Sequence, residues 1–239
     1  MPADKKDPNE KEKNKAEKKI ANTFAEFFSG QRRRVKKALP LDSRLARAGL
    51  DAAFWANEDE ILFTILWAEL QTMGDTAALA ELARLPGGVD LTVVYKETLR
   101  WARKYTAKLV AGINEGTREN IAEAVEEFIV TPDQTLGNLV DNIVTATEGL
   151  FGKARAEKIA VTEVTRAFAE GTEIAGDAVR DIGITLDDIW QTNNDGLVCR
   201  ICRPRNQTPR GAGWFDNPPA HPHCRCWLTH KLGQGGQFA

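Results

Sequence analysis

The feature that most constrains this chain is a cluster of metal-binding residue types near its C-terminal end. All four cysteines and two of the three histidines lie within residues 199–226. A Cys-x2-Cys pair, Cys199 and Cys202, is followed by the run His-Pro-His-Cys-Arg-Cys at residues 221–226. A Cys-x2-Cys turn presents two thiolates to one tetrahedral ion, and a second group completes the coordination shell. The spacing predicts a metal knuckle over residues 190–228, with Zn²⁺ as the natural ion.

The sequence offers more ligands than a tetrahedral shell can use. Cys199 and Cys202 are the firm pair, and the spacing leaves the other two open. His221 and Cys224 repeat the x2 spacing of the first pair, whereas Cys224 and Cys226 would complete a four-cysteine site. Four protein ligands close the shell, which makes the metal structural. His230 lies outside the knuckle and is expected at the surface. The open candidates are His221, His223, Cys224 and Cys226.

Hydropathy and cysteine usage both favour a cytosolic protein with reduced thiols. Charged residues interrupt the apolar stretches, so none approaches the ~20 apolar residues that a membrane span needs. The first residues also lack the apolar core of a signal peptide. Because the cytosol keeps thiols reduced, metal binding is a better explanation of the cysteines than disulfides.

The first forty residues are basic, although the whole chain has a net charge of −2. Residues 1–19 are charged and poor in apolar residues, which predicts disorder or a frayed helix. Residues 20–39 have apolar side chains at helical spacing and a basic cluster, which predicts a basic amphipathic helix. This cluster could contact a protein partner, DNA phosphates or a membrane surface, or it could simply be solvated. Its members are Arg32, Arg33, Arg34, Lys36 and Lys37.

The remaining periodicity predicts a mainly α fold, in which a helical body is followed by a small irregular α+β C-terminal module. Capping patterns and glycines punctuate successive helices over residues 41–150, with one capping box at Thr131 to Gln134. Helical periodicity continues over residues 152–181. Residues 184–192 then alternate like a strand, and residues 226–228 could form a short closing strand.

Three stretches together resemble the phage Mu F-like minor head proteins, a family also called phage head morphogenesis proteins. They are A-R-A-E-K-I-A-V-T-E-V-T-R-A at 154–167, Trp-x4-Asp-x3-Cys-x2-Cys at 190–202, and P-P-A-H-P-H-C-R-C at 218–226. The resemblance covers roughly residues 90–230. It divides the chain into a charged tail at 1–19, an N-terminal helical extension at 20–89, the Mu F-like domain at 90–232 and a flexible tail at 233–239.

The resemblance implies a minor virion component that acts in head morphogenesis and in DNA packaging or delivery. Its expected partners are the portal, scaffold or major capsid protein, and its expected place is the head interior or portal region, after synthesis in the host cytoplasm. Besides the knuckle, the resemblance marks Thr162, Glu163, Trp190 and Asp195 as structural positions. We expect the two carboxylates to brace the fold, by accepting from a backbone N–H or the Trp190 indole, or by orienting a histidine.

Two other functions remain open. A metal-dependent nuclease would use Asp195 with His221 or His223 around a second metal, and a DNA-binding protein would rely on the basic cluster at residues 32–37. The chain has no Gly-rich phosphate loop and no Gly-x-Ser-x-Gly motif. We therefore predict a non-enzymatic protein with no catalytic residues.

Overall fold

The computed structural model describes residues 6–38, 50–130, 142, 145, 149–193 and 196–233. These residues are mainly helical, with a two-stranded antiparallel sheet near the C-terminal end, which confirms the predicted fold class. None of the helices in these ranges combines the length and apolarity that crossing a bilayer requires. The helices are α1 (Glu10–Ala38), α2 (Ala52–Leu82), α3 (Leu91–Val130) and α4 (Lys153–Asp181), and the strands are β1 (Leu186–Gln191) and β2 (Trp227–Leu232).

The chain divides into two compact units, each made of distant segments. Unit 1 comprises Met1–Ile20, Ala68–Arg103 and Lys158–Ala239, and unit 2 comprises Ala21–Trp67 and Lys104–Glu157. All four helices contribute residues to both units. The boundary predicted after residue 89 therefore lies inside unit 1. Of the tail predicted at 233–239, only Gly233 is among the described residues, and the capping box at 131–134 lies outside them.

Helix α1 begins at Glu10, so residues 10–19 are helical, which was one of the two alternatives predicted for residues 1–19. The Lys13 ammonium forms a buried ion pair with Asp7 at 2.5 Å. The same ammonium lies 5.4 Å from the ring centroid of Phe168 in α4. The contact with Phe168 joins residues that are far apart in the sequence, so local composition does not contain it.

Unit 1 packs α2 against α4 through two glycines. A Cβ atom at Gly171 would overlap the carbonyl oxygen of Gly74, so the two backbones cross with no room for a side chain. Small apolar residues extend this contact, and a cluster that includes Ala78, Val94 and Ala175 is completely buried. The crossing fixes the position of α4, which carries the residues that meet the knuckle.

The sheet gives the knuckle its base. Strands β1 and β2 pair antiparallel from Leu186 opposite Leu232 to Gln191 opposite Trp227. The connection between them folds back onto β1: the Gln207 amide donates to the Trp190 carbonyl at 2.7 Å, and the Trp190 amide donates to Thr208 at 3.1 Å. The predicted strand pattern at 184–192 is confirmed, and β2 extends four residues beyond the closing strand predicted at 226–228.

Candidate metal centre

The first knuckle is a tight turn that starts at Cys199. The amide of Cys202 approaches the Cys199 sulfur at 3.4 Å, and the amide of Arg203 donates to the Cys199 carbonyl at 3.0 Å. Cys202 directly precedes a short 3-10 helix, Arg203–Arg205. The turn therefore presents both sulfurs on the same side, as the Cys-x2-Cys spacing predicts.

Helix α4 holds the second knuckle through two threonines. The Thr165 hydroxyl donates to the Cys224 carbonyl at 2.7 Å, and the His223 amide donates to the Thr162 hydroxyl at 3.1 Å. The Cys224 amide closes the turn by donating to the His221 carbonyl at 3.2 Å. Thr162, which the sequence analysis singled out, thus contacts the metal-binding segment directly.

Five of the six candidate ligands come together. Two trios have their ligand atoms within 4.8 Å of one another, and they share Cys202. Cys202 and Cys224 are almost completely buried, and Cys226 is 5% exposed. This cluster could hold a metal ion. The trios are Cys199, Cys202 and His221, and Cys202, Cys224 and Cys226.

Three distances in the cluster are close to the edges of a zinc tetrahedron. With Zn–S bonds of about 2.3 Å and Zn–N bonds of about 2.0 Å, two sulfurs lie roughly 3.8 Å apart and a sulfur and a nitrogen roughly 3.5 Å apart. The Cys202 and Cys224 sulfurs are 3.7 Å apart. The His221 Nε2 atom is 3.1 Å from the Cys199 sulfur and 3.4 Å from the Cys202 sulfur. Cys224 is not within 4.8 Å of both Cys199 and His221, so it would have to move toward that pair for one ion to contact all four atoms.

The two histidines of the second group differ in what they can do. The His221 Nδ1 atom is 2.8 Å from the carbonyl oxygen of Pro222, so this nitrogen carries the proton and donates. That tautomer leaves the Nε2 lone pair directed at the sulfurs, which is how outer hydrogen bonds orient metal-bound histidines. His223 has φ +62°, is exposed, and belongs to neither trio.

Trp190 packs behind the sulfurs and has an unused donor. The side chain is fully buried in a cluster with Cys202, Cys224 and Cys226, and its ring meets that of Trp214 edge-on at 5.3 Å. The indole Nε1 lies beside the Cys226 sulfur, yet it has no hydrogen bond of normal geometry to any described residue. A thiolate charge on the cluster would satisfy this orphaned donor, so the surroundings also suit a metal.

The predicted bracing carboxylates have a mixed outcome. Glu163 is only 7% exposed and pairs with Arg166, whose Nε is 3.4 Å from its carboxylate. The Trp190 indole, which is one of the donors considered for the two carboxylates, makes no hydrogen bond to Glu163, because its Nε1 has no partner among the described residues. Asp195 lies outside the described residues.

The thiols of the cluster differ in acidity. Hydrogen bonds from Cys202 and Cys226 lower the pKa of Cys224, more than offsetting the effect of burial. Burial raises the pKa of Cys199, but hydrogen bonds from the backbone of Cys202 and Ile201 outweigh burial and lower it as well. A lowered pKa favours the thiolate, which is the form that binds a metal ion.

His230 is buried, contrary to the expectation of a surface histidine. It is 4% exposed and lies in β2 between Glu81 of α2 and Asp188 of β1. With Glu173 it forms a third group of possible metal ligands, but Arg210 fills the space with ion pairs of 2.6 Å to Asp188 and 2.7 Å to Glu173. We interpret this group as an ion-pair network. In a strand, side chains two residues apart lie on the same face. Extending the predicted closing strand from Leu228 to His230 was therefore the sequence signal that could have predicted a buried His230.

The basic cluster at residues 32–37 does not act as one surface. Arg34 binds the fully buried carboxylate of Glu58 in unit 2 through two nitrogens, at 2.5 and 2.8 Å. Arg32 is half-buried. The exposed members are Arg33, Lys36 and Lys37.

Comparisons with known proteins give no relatives: no family model, no curated protein and no solved structure matches this chain. The resemblance to the Mu F-like proteins therefore depends on residues 154–167, 190–202 and 218–226 themselves.

Proposed function

We propose that the cluster binds one structural Zn²⁺ through Cys199, Cys202, His221 and Cys224. The observation that carries this proposal is the convergence of these ligand atoms around Cys202, with three of their pairwise distances close to tetrahedral edges. Cysteine and histidine ligands in this arrangement select zinc. Four protein ligands leave no open position, so the ion would stabilise the loop-rich segment between β1 and β2, which is short of apolar core of its own.

Cys226 is the fourth thiol and the fifth candidate ligand, and we assign it to the surroundings of the ion. It lies next to Trp190 and directly before β2, whereas His221 has its free nitrogen directed at Cys199 and Cys202. The alternative is a four-cysteine site in which Cys226 replaces His221. The two shells differ in chemistry, because one contains three sulfurs and a nitrogen and the other contains four sulfurs.

Metal analysis of the purified chain tests both the presence of zinc and the choice between His221 and Cys226 as a ligand. About one zinc per chain is expected, with loss in Cys202→Ser and retention in the matched variant Cys226→Ser. In Co²⁺-loaded protein, the visible spectrum should report three sulfurs and one nitrogen and should stay unchanged in Cys226→Ser. Zinc loss in Cys226→Ser with retention in His221→Asn would identify the four-cysteine site, and a folded wild-type protein without metal would refute the zinc proposal.

We further propose that the chain is a non-enzymatic minor head protein of a phage, associated with the portal or the head interior. The support is that the three stretches which carry the resemblance meet in one module. Thr162 and Thr165 of the first stretch bond to residues 223 and 224 of the third. Trp190 and Cys202 of the second stretch pack on Cys224. Residues that form one physical unit are a stronger basis for a family resemblance than scattered identities.

Purified virions provide the test of this larger proposal. Mass spectrometry of virions from the phage that encodes the chain should detect it in full heads. Disruption of the gene should yield heads that are misassembled or that fail to package or deliver DNA. Absence of the chain from virions, together with normal heads after disruption, would contradict the proposal without affecting the zinc site.

A metal-dependent nuclease is the second candidate. A cavity of about 200 Å³ borders the cluster and is lined by His221, His223, Asn193 and Arg225 among others. Incubation of plasmid DNA with the chain and Mg²⁺ or Mn²⁺ tests this function. Cleavage that disappears in His223→Ala would support a nuclease, and no cleavage with any of these metals would rule it out.

A further inference from the structure

His230 has a carboxylate at each ring nitrogen. Its Nδ1 atom lies 3.0 Å from a carboxylate oxygen of Glu81, and its Nε2 atom lies 3.3 Å from one of Asp188, a charge contact without the geometry of a hydrogen bond. The His230 amide also donates to Glu81, at 2.9 Å. The ring lies against Gly176 of α4 so closely that a Cβ there would overlap it. All these residues belong to unit 1.

This geometry specifies the protonation state of the ring. A neutral imidazole has one N–H donor and one lone pair, while an ionised carboxylate only accepts. A neutral His230 would therefore direct a lone pair at one of the two carboxylates inside a region almost closed to water. We propose that His230 is an imidazolium and acts as a charged clasp that fastens β2 to α2 and β1, and that alkaline pH releases it.

The charges around the ring support the clasp. Helix α2 contributes Glu81, and the turn after it contributes Arg84. Helix α4 contributes Glu173, Asp177 and Arg180, β1 contributes Asp188, and the connection between the strands contributes Arg210. Glu170 of α4 also interacts by charge with Glu173, Asp177 and Arg210. Carboxylates thus outnumber the guanidinium groups of Arg84, Arg180 and Arg210, and a positive charge on the ring reduces that excess. The ion pairs that join these groups involve Arg84 with Glu81, Arg180 with Glu173, Asp177 and Asp188, and Arg210 with Glu173 and Asp188.

The direction of the pKa shift agrees with this geometry. Burial lowers the pKa of His230, but hydrogen bonding and charge attraction to Asp188 and Glu81 outweigh burial and raise it above the usual value. A raised folded pKa means that the clasp contributes its full stability below about pH 6.5, the ordinary histidine value. That contribution is lost as the pH rises through the folded pKa.

Nitrogen NMR of the zinc-loaded chain with ¹⁵N-labelled histidine tests the proposal directly. At pH 7, both His230 ring nitrogens should carry protons, and the titration midpoint should lie above the ordinary histidine value. The spectrum of a His230→Asn variant identifies the signals. A wild-type His230 with a single protonated nitrogen at pH 7 would overturn the proposal, and this measurement does not depend on the stability of any variant.

Glu81→Gln is the informative substitution, and Glu69→Gln is its control on the same helix. Glu69 forms an ion pair with the exposed Lys19, far from the ring. Glu81→Gln should lower the His230 midpoint by about one pH unit or more, and the urea midpoint of this variant should lose its dependence on pH between 7 and 9. Glu69→Gln should leave both readouts unchanged. An unaltered His230 midpoint in folded Glu81→Gln would also overturn the clasp.

Discussion

The Thr165 hydroxyl donates a 2.7 Å hydrogen bond to the carbonyl oxygen of Cys224, and this bond attaches helix α4 to the segment that carries the candidate metal ligands. Both residues are 1% exposed. A buried carbonyl that loses its donor has no water to replace it. The bond therefore couples the position of a proposed ligand to the packing of the helix.

Replacement of Thr165 by valine tests this attachment. The change preserves shape and removes the donor, so we expect a loss of about 1–3 kcal/mol in the free energy of unfolding. Thr172→Val is the matched control, because the buried Thr172 hydroxyl donates to Phe168 in its own helix turn. Urea denaturation of the zinc-loaded proteins measures both. Equal losses of unfolding free energy in the two variants would show that the bond to Cys224 contributes no more than a hydrogen bond within one helix.

Gly171→Ala tests the helix crossing in unit 1. The new methyl group would meet the backbone of Gly74, which cannot move aside as a side chain can. We expect a loss of about 1–3 kcal/mol from overpacking. Gly112→Ala is the control, since a Cβ there meets nothing within 4 Å, and alanine in an open helical position should be neutral or stabilising by up to about 1 kcal/mol. Thermal unfolding measures the stability of both variants. A Gly171→Ala variant as stable as the wild type would contradict the close crossing of the two helices.

Asp188→Asn tests the ion-pair network under acid conditions. Burial raises the pKa of Asp188. Hydrogen bonds with His230 and Arg210 and the charge of Arg180 outweigh this effect, so the pKa lies below its usual range. The carboxylate therefore stabilises the fold above about pH 4 and loses this effect only as the pH falls through the lowered folded pKa. We expect Asp188→Asn to cost about 3 kcal/mol at pH 7.

The control for Asp188 is Asp177→Asn, which removes another partner of Arg180. The Asp177 side chain is 62% exposed, and an exposed pair of this kind contributes about 0–1 kcal/mol. Chemical denaturation at pH 7 and at pH 3 gives the comparison. The stability difference between wild type and Asp188→Asn should shrink toward low pH. A difference that grew toward low pH would contradict a lowered pKa of Asp188.

Arg34→Met separates internal support from partner binding in the basic cluster. Loss of the guanidinium leaves the Glu58 carboxylate buried without its partner, so we expect a destabilisation of about 3 kcal/mol. Arg33→Met, one position earlier and exposed, should change stability by less than about 0.5 kcal/mol. If DNA binding belongs to this helix, Arg33→Met should weaken it and flatten its salt dependence. A stable Arg34→Met would mean that the Glu58 pair is not structural.

The sequence was most informative where chemistry is local. Cys199 and Cys202 are brought together by a single turn, so spacing alone predicts that they share a site. Helical and strand periods likewise predicted α4 and β1 near their observed limits. His221 and Cys224 could be named as candidates, but the choice between them and Cys226 needs the direction of the His221 ring, which a hydrogen bond to Pro222 sets.

The sequence was least informative where distant residues meet. Nothing beside His230 in the chain indicates Glu81, 149 positions away, or the ring contact with Gly176. Lys13 similarly resembles one charge in a charged tail, and nothing near it in the sequence indicates its contact with the ring of Phe168. The basic cluster shows the opposite error, because adjacent positive charges suggest one surface although Arg34 turns inward to Glu58.

The position of strand β2 has a consequence for how the module responds to its surroundings. The candidate ligand Cys226 directly precedes the strand, which starts at Trp227, and His230 is the fourth residue of the strand. The proposed zinc site and the proposed protonated histidine are thus separated by a few residues of one strand. Thermodynamic reciprocity requires that any change zinc makes in the proton affinity of His230 equals the change the proton makes in zinc affinity. Metal uptake measured at two pH values would therefore also report the state of the histidine.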